Sequence, residues 1–62
     1  MSLNGKQEKF AQAYVLHRNA TEAAKAAGYS DRSANNQGYR LLQMDEVIER
    51  IADLENELVT NI

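Results

Sequence analysis

An alanine-rich run that stops at a glycine limits how this chain can fold. Residues 23–27 are alanine except for Lys25, and Gly28 follows them where a glycine with positive φ commonly ends a helix. Ser30 can cap a new helix after a connection of only two or three residues. Such a short connection makes two helices cross sharply, and small alanines let them approach closely. The stretch therefore predicts a helix-turn-helix.

The rest of the sequence also favours helices. The 62 residues contain no proline and no cysteine, and many are strong helix formers. Hydrophobic periodicity predicts an all-α fold, a small domain of three to four helices. The predicted helices cover residues 6–17, 20–27, 31–42 and 45–58. Asn19 is expected to cap the second helix, in a capping box with Glu22.

The first helix carries an apolar stripe at helical spacing. We expect the stripe to be buried as a unit, and we assign no catalytic role to the single histidine that it contains. Its members are Phe10, Ala13, Tyr14 and His17.

Charge divides the chain into two parts. Residues 1–44 carry six basic and three acidic side chains, for a net charge of +3, whereas residues 45–62 carry one basic and six acidic ones, for −5. This asymmetry suggests an anion-facing part in residues 1–44 joined to an acidic part in residues 45–62 that has another role.

The third predicted helix has one polar face without a carboxylate. Ala34, Gly38, Leu41 and Leu42 fall on its opposite side at about 100° per residue. Arginine pairs with guanine in the major groove, and asparagine or glutamine pairs with adenine. The polar face consists of Arg32, Ser33, Asn36, Gln37, Arg40 and Gln43, and all of these except Gln43 are predicted to contact DNA. Ser30 at the start of the helix and Lys25 in the second helix are predicted to contact phosphates. Residues 1–44 are thus predicted to form a helix-turn-helix DNA-binding domain, and residues 45–62 an acidic amphipathic helix.

The sequence lacks the residues that an enzyme, a metal site or a cofactor site would need. The chain offers no nucleophile paired with its histidine and no glycine loop for phosphate, and its acidic cluster lacks a preorganised loop. We expect no enzyme, no metal site and no cofactor. No apolar run is long enough to span a bilayer and no signal peptide is apparent, so we expect a soluble, intracellular protein.

Several segments match the pattern of a known family in order and spacing. They are Lys6-Gln7 followed by Phe10 and Tyr14, the run NATEAAKAAGYS at residues 19–30, and Ala34, Gly38 and Arg40-Leu41-Leu42. With these residues the chain resembles the N-terminal DNA-binding domain of a bacteriophage terminase small subunit. The run at residues 19–30 is the most specific part, and the match covers most of the chain.

This resemblance implies a role in viral genome packaging. The implied protein binds double-stranded viral DNA and recruits the terminase large subunit, which carries the motor ATPase and nuclease. It also implies a homo-oligomer in the full-length protein, working in the cytoplasm of the bacterial host.

The acidic fourth helix carries an apolar seam. Its spacing of three and four residues is typical of two heptads, which fits either packing on the core or contact with another subunit. The seam residues are Met44, Val47, Ile51, Leu54 and Leu58.

Two other functions remain open from the sequence. A small dimeric helix-turn-helix transcription regulator would use the same third helix. A paired, palindromic footprint on DNA would distinguish it from the ring-like oligomer that the resemblance implies. A helical protein–protein interaction module would use the acidic helix and would not bind DNA.

Overall fold

Four helices form the part of the chain that the structure describes. The structure, a computed structural model, covers residues 3–60, with side chains described for residues 3–58. The helices are α1 (Gly5–His17), α2 (Ala20–Ala26), α3 (Asp31–Leu41) and α4 (Asp45–Thr60). These bounds lie within two residues of those predicted, and the described residues contain no strand. The all-α prediction is confirmed.

Side-chain caps begin the first three helices. Asn19 Oδ1 accepts from the Glu22 amide at 3.0 Å and starts α2. The prediction that the Asn19 amide donates in return to the Glu22 carboxylate is wrong. That carboxylate lies 3.7 Å from Lys25 Nζ instead. A complete capping box occurs at α1, where Asn4 and Gln7 each accept from the other's amide.

A small core lies where the four helices meet. Phe10 of α1 and Val47 of α4 are its largest fully buried side chains. Its other members are Ala11, Ala13, Ala23, Ala24, Ala27, Ala34, Leu41 and Ile51. With so many alanines, the core depends on close approach of backbones rather than on large side chains. The fourth helix contributes two of its buried residues.

The stripe predicted on α1 is buried only in part. Phe10 and Ala13 are buried and Tyr14 is half-buried, with its ring 6.0 Å from that of Phe10. His17 is exposed, so the prediction is wrong at this position. The chain turns away at Arg18, which adopts a φ of 55°, and leaves Leu16 and His17 at the end of α1 exposed.

Two ion pairs fasten α4 to α1. Arg50 Nε donates to both carboxylate oxygens of Glu8, at 2.9 and 3.0 Å, and its Nη2 donates to one of them at 2.9 Å. Arg18 pairs with Glu55 further along the two helices. The hydrogen bonds from Arg50, and after them the one from Gln12, hold the pKa of Glu8 below its ordinary value. The bonds to Glu8 correspondingly raise the pKa of Arg50.

No helix in the described range is long and apolar enough to cross a bilayer.

Candidate nucleic-acid interface

The turn between α2 and α3 sets the direction of α3. Gly28 has a φ of 107°, a conformation that glycine adopts without a Cβ clash. The Gly28 amide donates to the Lys25 carbonyl at 3.1 Å, and the Tyr29 amide donates to the Ala24 carbonyl at 3.0 Å. These two bonds form a Schellman motif. Ser30 Oγ then accepts from the Ser33 amide at 3.3 Å and caps α3. The predicted roles of Gly28 and Ser30 in the turn are confirmed.

The two helices touch at a glycine. A Cβ added to Gly38 would lie 2.5 Å from the carbonyl oxygen of Ala20. The backbone of α3 therefore rests on the first turn of α2, and this contact determines how α3 is rotated about its own axis.

One side of α3 and the turn after it faces solvent. We call this surface the outer face of α3, and it spans about 140° of the helix at about 100° per residue. It contains no carboxylate, because the exposed Asp31 at the start of the helix lies about 40° beyond its edge at about 100° per residue. The exposed residues that form the outer face are Arg32, Asn35, Asn36, Tyr39, Arg40 and Gln43.

The outer face is rotated by about 50° from the face predicted by sequence. Arg32, Asn36 and Arg40 belong to both faces, whereas Ser33 and Gln37 are half-buried. Ser33 Oγ lies 3.0 Å from Ser30 Oγ and takes part in the cap. The opposite, buried side consists of Ala34, Gly38 and Leu41, with Leu42 half-buried, as predicted.

Two residues of the outer face were missing from the predicted set. Asn35 is exposed and Tyr39 is 60% exposed. A helical wheel centred opposite Ala34, Gly38 and Leu41 alone would have placed Tyr39 outward. Because Leu42 was counted with the buried side, the predicted polar face was rotated towards Gln37.

The four arginines of the chain divide into two pairs. Arg18 and Arg50 form ion pairs with carboxylates of α4 and α1, respectively. Arg32 and Arg40 of α3 form no ion pair within the described residues. Within the described chain, no carboxylate therefore lies within ion-pair distance of the arginines of the outer face.

Cations beside the turn are held more loosely. Lys25 is exposed and lies 3.7 Å from Glu22, a distance typical of a weak surface pair. Lys6 Nζ lies 4.7 Å above the ring of Tyr29. This cation–π contact places the start of α1 next to the turn.

The seam of α4 lies mostly against the core of the same chain. Val47 and Ile51 are buried, Met44 and Leu54 are half-buried, and Leu58 is 56% exposed. An open groove of about 310 Å³ separates the ends of α1 and α4. Its lining residues are Gln12, Val15, Leu16, Leu54, Glu57 and Leu58. Among the described residues, no cluster of side chains is suited to hold a metal ion.

Comparison with known proteins places this chain in a family. A family model described as terminase small subunit matches residues 3–62. The PBSX phage terminase small subunit of Bacillus subtilis (strain 168) is 40% identical over 60 residues, which are 97% of this chain and 23% of that relative. The chain thus spans less than a quarter of that relative's length, and no solved structure matches it. This chain belongs to the terminase small subunit family.

Proposed function

We propose that residues 1–44 bind double-stranded DNA as a helix-turn-helix module, with α3 as the recognition helix. The observation that carries the proposal is the outer face of α3. It combines two arginines that have no ion-pair partner in the described chain with amide side chains, and it lacks carboxylates. The positive charge of the two arginines attracts the phosphates of DNA, which carboxylates on this face would repel.

The residues of the outer face have the chemistry of base recognition. Arg32 and Arg40 can each donate two parallel hydrogen bonds to guanine, and Asn36 can pair with adenine. Lys25 and the capped start of α3 at Ser30 lie where backbone phosphates approach a recognition helix. Ser33 and Gln37 are half-buried and lie at the edge of this surface.

At the level of the whole protein, we propose a non-catalytic role at the start of viral genome packaging. The small subunit would recognise viral DNA and recruit the terminase large subunit in the bacterial host cytoplasm. A homo-oligomer would present several copies of the outer face to one DNA molecule. Membership of the terminase small subunit family supports this proposal.

Charge-removing variants test the role of the outer face. We expect Arg32→Ala and Arg40→Ala each to weaken binding of a selected duplex by about 1–3 kcal/mol. Arg18→Ala is the matched control, because it removes the same charge from a partly exposed surface pair on the α1–α4 side. Fluorescence anisotropy with a labelled duplex at low salt measures the affinity, and circular dichroism checks the fold.

A specific result would contradict the proposal. If Arg32→Ala and Arg40→Ala bind duplex DNA as tightly as the Arg18→Ala control, the outer face does not contact DNA. Failure of the wild-type chain to bind any duplex at low salt would also contradict the proposed DNA-binding function.

A further inference from the structure

A hydrogen bond ties α2 to the outer face of α3. The Thr21 hydroxyl donates to Asn35 Oδ1 across a distance of 3.1 Å. Thr21 is half-buried, whereas Asn35 is exposed. The close approach of Gly38 to Ala20, one turn further along α3, brings the two side chains within reach of each other. Asn35 is therefore anchored to the body of the domain while it remains open to solvent.

This bond determines which atoms Asn35 presents. Its Oδ1 points back towards Thr21, so Nδ2 points to the opposite side of the amide group. Nδ2 is a donor with two N–H groups. In the major groove such a donor meets N7 and O6 of guanine, N7 of adenine and O4 of thymine. An amide that is already oriented also loses less conformational entropy on binding.

We propose that Asn35, oriented by Thr21, reads a base of duplex DNA by donating from Nδ2 to an acceptor on a base edge in the major groove. The inference rests on the proposed DNA-binding function. Asn35 then determines base specificity, and Thr21 is a positioning residue that acts by orienting the Asn35 amide.

The position of Asn35 along α3 agrees with this role. It is the fifth residue of a helix that begins at Asp31, and it lies on the outer face beside Arg32 and Tyr39. In helix-turn-helix proteins the N-terminal residues of the recognition helix contact base edges while the preceding helix crosses the phosphate backbone. A residue at the start of α2 is thus well placed to orient a base-reading side chain of α3.

Three variants of the 62-residue chain separate the roles of the two side chains. Asn35→Ala removes the reading amide, Thr21→Val removes the hydroxyl and keeps the side-chain shape, and Thr21→Ser keeps the hydroxyl. Each protein is applied to a library of random-sequence duplex DNA, and the bound duplexes are sequenced. Affinities are then measured by anisotropy for the duplex that the wild type selects and for its single base-pair substitutions, at several salt concentrations.

We expect a loss of discrimination confined to one base pair. Asn35→Ala should lose about 5- to 100-fold of the wild-type preference there. Thr21→Val should lose about 2- to 10-fold at the same base pair, and Thr21→Ser should behave as the wild type. Affinity for unrelated duplexes and the salt dependence should not change. Since Asn35 is exposed, its alanine variant decides the question even if Thr21→Val fails to fold.

Other outcomes would overturn the inference. A uniform loss of affinity in Asn35→Ala, with a shallower salt dependence, would mean that Asn35 contacts phosphate and reads no base. Unchanged preferences in Asn35→Ala, with selective binding by the wild type, would refute this inference and leave the proposed function intact. A wild-type chain that binds no duplex would refute both.

Discussion

Gly38 provides the sharpest test of how the two central helices pack. Replacing it with alanine places a Cβ 2.5 Å from the carbonyl oxygen of Ala20 and 2.8 Å from its carbonyl carbon. Ordinary carbon–oxygen contacts lie at about 3.4 Å, so α3 would have to move by about 1 Å. The obstacle is backbone, which cannot turn aside as a flexible side chain can. Separating the helices would weaken packing at their buried alanines.

The expected magnitude follows from two opposing effects. Overpacking of this kind costs up to about 3 kcal/mol, whereas alanine is favoured over glycine in a helix by about 1 kcal/mol. We therefore expect Gly38→Ala to lower the free energy of unfolding by about 2 kcal/mol. In a domain of this size that corresponds to a fall in Tm of about 8–16 °C.

Thermal unfolding followed by circular dichroism at 222 nm measures this effect. Gly5→Ala is the matched control, because a Cβ at Gly5 meets no atom within 4 Å. We expect its Tm to stay close to that of the wild type or to rise slightly. If Gly38→Ala is as stable as Gly5→Ala, the close contact between α2 and α3 does not exist as described.

Three further predictions concern the turn, the core and the α1–α4 ion pair. Gly28→Ala should cost about 1 kcal/mol or more, measured by urea unfolding, because alanine is strained at a φ of 107°. Phe10→Ala should cost about 3–5 kcal/mol and abolish most helical dichroism at 25 °C, because Phe10 is fully buried in a thin core. The Tm of the wild type should fall more steeply than that of Glu8→Gln as the pH drops below about 4.3, the ordinary pKa of glutamate. The pKa of Glu8 is lowered in the folded chain, so the stability from this pair is complete above that pH and is lost as Glu8 is protonated.

Each of these predictions has an outcome that contradicts it. An unchanged urea midpoint in Gly28→Ala would mean that the turn does not require positive φ. A cooperative unfolding transition near the wild-type Tm in Phe10→Ala would mean that the core does not depend on this ring. Parallel pH profiles for the wild type and Glu8→Gln would show that the bonds from Arg50 do not stabilise the fold.

The exposed face of α3 could be predicted only in part from the sequence of that helix. The periodicity of residues 31–42 indicated which residues share a side, but a rotation of about 50° separates the predicted face from the exposed one. The contact of Gly38 with Ala20 sets that rotation, and it joins residues 18 positions apart. For this reason Asn35 and Tyr39 are exposed although they were outside the predicted face, and Ser33 and Gln37 are half-buried although they belonged to it. That the outer face reads DNA remains a prediction.

What α4 packs against also could not be predicted from the sequence of that helix alone. Its seam fitted both packing on the core and contact with another subunit, and the structure buries Val47 and Ile51 in the core of the same chain. Arg50 of this helix donates to Glu8, which lies 42 residues away in sequence, and no local pattern predicts that contact. Leu58 at the end of the seam stays exposed, so contact of this end with another subunit remains a prediction.

By itself, the sequence determined the features that depend on near neighbours. The four helices, the caps at Asn19 and Ser30, and the positive φ of Gly28 each arise from residues within about five positions of one another. Only the tertiary structure decided how α3 is rotated, which arginines find a carboxylate, and that Thr21 holds Asn35. Those features depend on the distance between backbones brought together from distant parts of the chain, and no local pattern encodes that distance.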